Sequence, residues 1–417
     1  MTTALTDTSV RLAEIRALNR HLVSAQDAKI LKVVAMVDAL PDRGAADSLI
    51  APLRPRLAQL RPSRPLSVTR LMFIPLDPVV VQATDWRRGA LTIPRTALPC
   101  LARQFIALDP TLSDSVAAEV ADATTDDLGV IRRAGGRLWP RAASLLAAAP
   151  PPADWAAATS LTAADHRAIR DSVVLALTHA PAIAHQLAAE RPDPETIADM
   201  LKQTAATPEA MGMLITLLLH WVPTAASQVL ELTSAHSSPI GLAGRTAIEK
   251  AVEHVLDAIE TEQEAPQTGI AGLPRLRRSI ALLDELESGS ADRPMRAARI
   301  AATRARVDAA CRGRFQTLLK DSVVGHLAQG LPVAPEDIVN LEVAARDIRS
   351  FEHVARRINR SDHYDRQLRA IVTGLAPQGG DDQQLRVDRL RLAEILLGPE
   401  QAMQMLMDAE KAAAAGA

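Results

Sequence analysis

Aromatic side chains are nearly missing from this chain, with four Trp, four Phe and one Tyr, 2% of 417 residues. Strands draw heavily on aromatic and β-branched residues, so this shortage argues against a β-rich fold. Cysteine is as scarce. Cys100 and Cys311 stand far apart, outside any paired motif of the kind that binds zinc or carries redox chemistry. No disulfide framework, metal site or cofactor is expected, and two lone thiols suit a reducing cytoplasm. Lysine is confined to Lys29, Lys32, Lys202, Lys250, Lys320 and Lys411, with arginine carrying most of the positive charge, as a GC-rich coding sequence dictates. Long apolar runs are lacking too. The best, MGMLITLLLHWV, falls short of the roughly 20 residues that span a bilayer. The opening MTTALTDTSVRLAEIRALNR has no basic region followed by an apolar core, so no secretory signal is expected. A soluble cytoplasmic protein is the reading.

What the chain does hold is Ala and Leu, in a composition 48% hydrophobic and 23% charged. Both are strong helix formers. The expected fold is all-α: an elongated array of short helical hairpins, then a bundle of longer antiparallel helices, with one short extended or β-like insertion near 66–93. Three regions follow from the punctuation. Residues 1–149 form an N-terminal helical region with its insertion at 64–94. Residues 150–237 form a short-helix region after the Pro-rich linker AAAPPPADWAAAT, and residues 238–417 form a long-helix bundle. No fixed period with recurring signature residues marks a known repeat class.

Helical spacing supports this reading. Stripes are Val10, Ile15, Leu18, Leu22; then Ile30, Val33, Val34, Val37; then Ile50, Leu53, Leu57, Leu60. Pro94 suits the first turn of a helix striped by Leu98, Leu101, Phe105 and Leu108, with Thr92 a nearby cap. Two helices broken near Gly135-Gly136 are expected over 112–148. Further short helices restart after Pro181, Pro194, Pro208 and Pro223, and Thr162 with Asp165 suggests a capping box. Beyond 241 the helices lengthen. Residues 295–329 predict one long helix and Pro335 starts another running to about Ile358, the two packing antiparallel.

The segment RPLSVTRLMFIPLDPVVVQATDWRRGALTIP, residues 64–94, differs from its surroundings. Pro75 and Pro78 drive Ile74 and Asp77 away from helical geometry. LSVTRLMFI reads as a short strand and VVVQATDWRRGALTI as an irregular return strand. One reading makes Phe73, Ile74, Val79, Val80 and Val81 a plug for the helical stack. The other makes Phe73, Ile74, Val79, Val81, Trp86, Arg87 and Arg88 a protein-interaction element, since Trp and Arg anchor binding hot spots.

Charge is unevenly spread although the net is only −2. Asp109, Asp114, Glu119, Asp122, Asp126 and Asp127 lie in a stretch without a basic residue, whereas 293–314 carries seven arginines against Asp308. On a helix, Ile300, Val307, Cys311 and Leu318 share one face. Arg296 and Arg314 flank it, Arg304 falls among it, and Arg299 and Arg306 lie to one side. Arg296, Arg299 and Arg306 make a candidate surface for an acidic partner, though some of these arginines pair more naturally with acids on neighbouring helices.

Catalytic motifs are weak. SSPIGLAGRTAIEK imitates a P-loop, but Pro239 replaces its first glycine and Arg245 its lysine, so Gly241 and Gly244 read as a helix–helix connection. His179 and His185 are separated by Pro181. His363 in RSDHYDR reads as turn capping, and Ser290 sits in a turn, not a nucleophile elbow. No catalytic, cofactor-binding or metal residue is assigned. The leading expectation is a non-enzymatic helical scaffold or adaptor that binds other proteins. The alternatives are a nucleic-acid-associated or acidic-partner-binding regulator using the Arg-rich half, and an enzyme with a dispersed site. Protein partners are expected first and nucleic acid second, with self-association open.

Overall fold

Side-chain caps and N-terminal prolines mark where many of the helices begin. In the computed structural model, Ser67, Asp109, Thr162 and Asp193 each accept hydrogen bonds from backbone N–H groups of the turn that follows. These donors have no partner inside the helix, so each cap removes a desolvation cost. Pro110, Pro194 and Pro208 open their helices, where the missing N–H costs nothing. The structure describes residues 27–38, 64–90, 92–234, 239–264, 272–320, 335–359, 362–375 and 383–416. The stripes at Val10–Leu22 and Ile50–Leu60 lie outside these.

Among the described residues the fold is all-α, with seventeen α-helices and one two-stranded sheet. After α1 (Asp27–Asp38) and α2 (Val68–Phe73) come a 3-10 turn at Ile74–Val79 and the strands β1 (Val80–Val81) and β2 (Ile93–Pro94). Then follow α3 (Ala97–Leu108), α4 (Pro110–Val120), α5 (Leu128–Ala148), α6 (Trp155–Thr159) and α7 (Ala163–Ala188). Next are α8 (Pro194–Thr204), α9 (Pro208–Trp221), α10 (Ala226–Ser234), α11 (Pro239–Glu264), α12 (Leu273–Ser288) and α13 (Pro294–Leu319). The last four are α14 (Pro335–Ala355), α15 (His363–Gly374), α16 (Gln383–Leu397) and α17 (Pro399–Gly416). The chain divides into two compact units. One comprises Pro62–Ile259 with Ala281–Ala301; the other comprises Met1–Arg61, Glu260–Ile280 and Ala302–Ala417.

In the first unit α5 packs along α7, and α7 along α9. Their shared core includes Leu138, Trp139, Val173, Leu177, Leu214 and Leu218, all buried. The Pro-rich turn before α6 is tied down on both sides: Arg103 pairs with Asp154 at 2.6 Å, and Arg170 donates to the carbonyl of Ala149 at 3.3 Å. In the second unit α13 and α14 run antiparallel, as their spacing predicts. Asp308 meets Asn359 at 3.2 Å while Phe315 stacks on Phe351 with centroids 6.4 Å apart. The last part of the helix expected over 295–329 lies outside the described residues.

Several boundaries differ from the sequence expectations, each for a packing reason. The residues read as a strand, LSVTRLMFI, instead make α2 and enter a 3-10 turn. Ser67 caps α2 through the N–H of Arg70, and Pro75 and Pro78 then stop it. The segment read as a single return strand instead carries two strands of two residues, one at each end, which pair parallel with each other, Val80 with Ile93 and Val81 with Pro94. Pro94 is therefore a strand residue, and α3 begins three residues later. Gly135-Gly136 does not break a helix: α5 runs through both, and the Trp139 ring lies over Gly135 where any Cβ would overlap it. Likewise α7 continues through Pro181, so that His179 and His185 share one helix. The P-loop-like glycines sit inside α11, where Gly244 allows close approach: a Cβ there would stand 2.9 Å from Thr233. Leu108, assigned to a buried face, is 47% exposed at the end of α3.

Candidate functional site

The segment 64–94 divides into a buried part and an exposed loop. Leu66, Leu71, Met72, Phe73, Leu76, Val79 and Ile93 are all buried. Ile74, Val80 and Val81 are half-buried. Three indoles fix this stretch by donating to its carbonyls: Trp139 to Leu71 at 3.0 Å, Trp221 to Pro75 at 3.1 Å and Trp86 to Thr92 at 3.1 Å. Phe73 and Val79 are thus core residues. What faces solvent is the loop carrying Arg87, Arg88 and Gly89, the last at φ +82°, a conformation glycine adopts without strain. Arg87 donates to the carbonyls of Thr84 and Trp86, both at 2.7 Å.

Arg88 reaches across to the start of α7. Its guanidinium pairs with Asp165 at 2.5 Å, and Asp165 completes a reciprocal capping box with Thr162. Hydrogen bonds from the Thr162 hydroxyl and backbone, then from Arg88, hold the Asp165 carboxyl down at about 2. Nearby, buried His166 packs edge-on against Trp155 with centroids 4.6 Å apart, and burial lowers its pKa.

Three arginines of the arginine-rich helix are paired with carboxylates of the chain itself. Arg296 pairs with Glu249, and Arg299 pairs with Glu253 at 2.8 Å and Asp257 at 2.7 Å. These partners ascend in the same order on α11 and α13, so the two helices run parallel. Arg306 pairs with Glu260, which also accepts from Thr303 at 2.6 Å. Arg296 is buried except for a sliver of its side chain, and Ile300, Val307 and Cys311 form the apolar face. The acidic stretch is partly used in the same way: Asp109 pairs with Arg141 at 2.8 Å, and Glu119 pairs with Arg137. Asp114, Asp122 and Asp126 face solvent.

Burial pushes the Cys311 thiol up to about 12 and raises Cys100 as well, which keeps both protonated and poorly nucleophilic. Both remain free thiols. Tyr364 is fully buried against Phe315, and desolvation raises its pKa. His363 opens α15, with Asp362 at the cap position, and burial lowers its pKa. Ser290 does lie in a turn, yet it is fully buried with an unpartnered hydroxyl. Among the described residues no group of three or more His, Cys, Asp or Glu could hold a metal. None of their helices is long and apolar enough to cross a membrane.

Sequence spacing overlooked a set of exposed apolar residues. Val339 and Val343 on α14, Val387 on α16, and Met403 and Met407 on α17 are between 47% and 60% exposed. The i, i+4 pairs put each apolar couple on one side of its helix. The signal was legible as spacing, but Met and Val at helical intervals look the same whether they face a core or a partner. No family model matches the chain, and no curated protein and no solved structure matches it.

Proposed function

We propose that this chain is a non-enzymatic helical scaffold that binds other proteins, and that it works in the cytoplasm. The observation that carries the reading is the solvent-facing Met403–Met407 pair on α17, with Val387 exposed on the adjoining α16. Exposed apolar residues in rows, unlike single ones, mark interaction surfaces. Methionine suits this use because its unbranched thioether adapts to differently shaped partners. An amphipathic partner helix would lay its apolar face along such a row. The free thiols of Cys100 and Cys311 fit a reducing compartment.

The regulator reading draws less support, since Arg296, Arg299 and Arg306 are each paired with a carboxylate of this chain. The test is co-purification of tagged full-length protein from its native lysate, with and without nuclease. A stoichiometric protein partner that survives nuclease and is lost in Met403→Glu/Met407→Glu supports the scaffold. Partners that vanish on nuclease treatment, or turnover of a small metabolite by the pure protein, would overturn it.

A further inference from the structure

Arg277 on α12 and Arg349, Ser350, Glu352 and His353 on α14 line a pocket of about 340 Å³. All five belong to the second unit. Arg349, Ser350 and His353 follow one another at i, i+1 and i+4, so a single helix end supplies three of the four donors.

The charge balance of this pocket is uneven. Glu352 is only 3% exposed, and its carboxylate is shared by Arg349 at 2.8 Å and by Arg356. Arg356 also reaches Asp365. Two lining guanidinium groups, Arg277 and Arg349, thus meet one lining carboxylate, which is itself shared with Arg356. The surplus falls on Arg277, which has no ion-pair or hydrogen-bond partner among the described residues. Apart from the occupied Glu352, every lining side chain offers hydrogen-bond donors: two guanidinium forks, a hydroxyl and an imidazole. A donor-lined wall with surplus positive charge matches an oxyanion that only accepts. Guanidinium forks favour phosphate because they can bond it bidentately. The hollow is open to solvent and has room for more than a bare phosphate.

We propose that this pocket binds a small organic phosphate ester, with Arg277 and Arg349 on the phosphoryl oxygens and Ser350 and His353 as further donors. This site is separate from the exposed methionines of α17 and stands whether or not the scaffold reading does.

The test is calorimetric titration of the full chain with inorganic phosphate and with glycerol phosphate at constant ionic strength, with acetate as the carboxylate control. Saturable one-site binding is expected, tighter for glycerol phosphate than for inorganic phosphate and absent for acetate. Arg277→Gln should weaken it about tenfold, the loss of one charge-assisted contact, with an unchanged melting temperature because Arg277 is exposed and unpaired. Arg349→Gln should also weaken binding, and lower the melting temperature by leaving Glu352 short of a partner. The proposal is overturned by an absence of saturable heat for both phosphates, by acetate binding as tightly as they do, or by unaltered affinity in a folded Arg277→Gln protein.

Discussion

The indole N–H of Trp221 donates to the carbonyl oxygen of Pro75 at 3.1 Å, joining residues 146 positions apart. The carbonyl sits in the 3-10 turn between two prolines, where regular secondary structure offers it no donor. Trp221→Phe keeps the ring but removes that donor. A loss of about 1–3 kcal/mol in urea unfolding is expected, the cost of stranding a partly buried carbonyl. Trp139→Phe should cost more, because Trp139 is 2% exposed and also fills core volume. Equal stability of the two variants and the parent would sink this account.

Neighbouring glycines in α5 should respond with opposite signs. Alanine ordinarily stabilises a helix interior by about 0.5–1 kcal/mol relative to glycine. Gly136 faces open space, so Gly136→Ala should show that gain. At Gly135 the added methyl collides with the Trp139 ring. Overpacking there should cost about 1–3 kcal/mol, and thermal melts of the two variants against the parent would reveal it.

Asp165 gives a pH signature. Its carboxyl is held at about 2, below the usual carboxylate value, first by the Thr162 hydroxyl, then by the Thr162 backbone and Arg88. The unfolded chain therefore takes up this proton first as pH falls. The stabilisation is complete above about pH 4 and lost as pH drops towards 2. Asp165→Asn should melt lower than the parent at pH 7, and the gap should close across that acidic window. A constant gap from pH 7 to pH 2 would contradict the assignment.

His179 should act in a higher window. It is 5% exposed, and burial alone lowers its pKa. The folded protein keeps it neutral while the unfolded chain protonates near pH 6.5. Stability from this residue is present above that value and declines as pH falls below it. His179→Leu should flatten the decline, measured as melting temperature between pH 7.5 and about pH 5.

The exposed methionines should separate binding from folding. Met403→Gln/Met407→Gln should change stability by no more than about 0.5 kcal/mol, as surface substitutions do. Capture of a protein partner should nonetheless fall sharply. Retained capture would move the contact surface elsewhere.

The helical class and many of its stripes were legible in the sequence. Ile30 and Val34, like Leu101 and Phe105, are buried as their spacing requires, and Thr162 with Asp165 forms its capping box. The misread places share one cause: tertiary contact overrode a local signal. Gly135 and Pro181 read as breaks because glycine and proline weaken isolated helices, yet the packed core carries both. Val68–Phe73 reads as β-forming, but Ser67 caps it and the α5 indole binds its carbonyl. The pocket was illegible for a different reason. Arg277 and Arg349 are ordinary helix-surface arginines until folding sets them on one wall, and no local pattern distinguishes them from Arg299, which folding gives two carboxylate partners.

The four tryptophans, Trp86, Trp139, Trp155 and Trp221, all fall in the unit built on Pro62–Ile259, while the single tyrosine, Tyr364, falls in the other. Intrinsic fluorescence is therefore partitioned by the aromatic shortage itself. Indole emission, excited at the red edge where phenol does not absorb, reports on one unit alone, so comparing its melt with the loss of helical signal from the whole chain in one unlabelled sample can show whether the two melt together or in sequence.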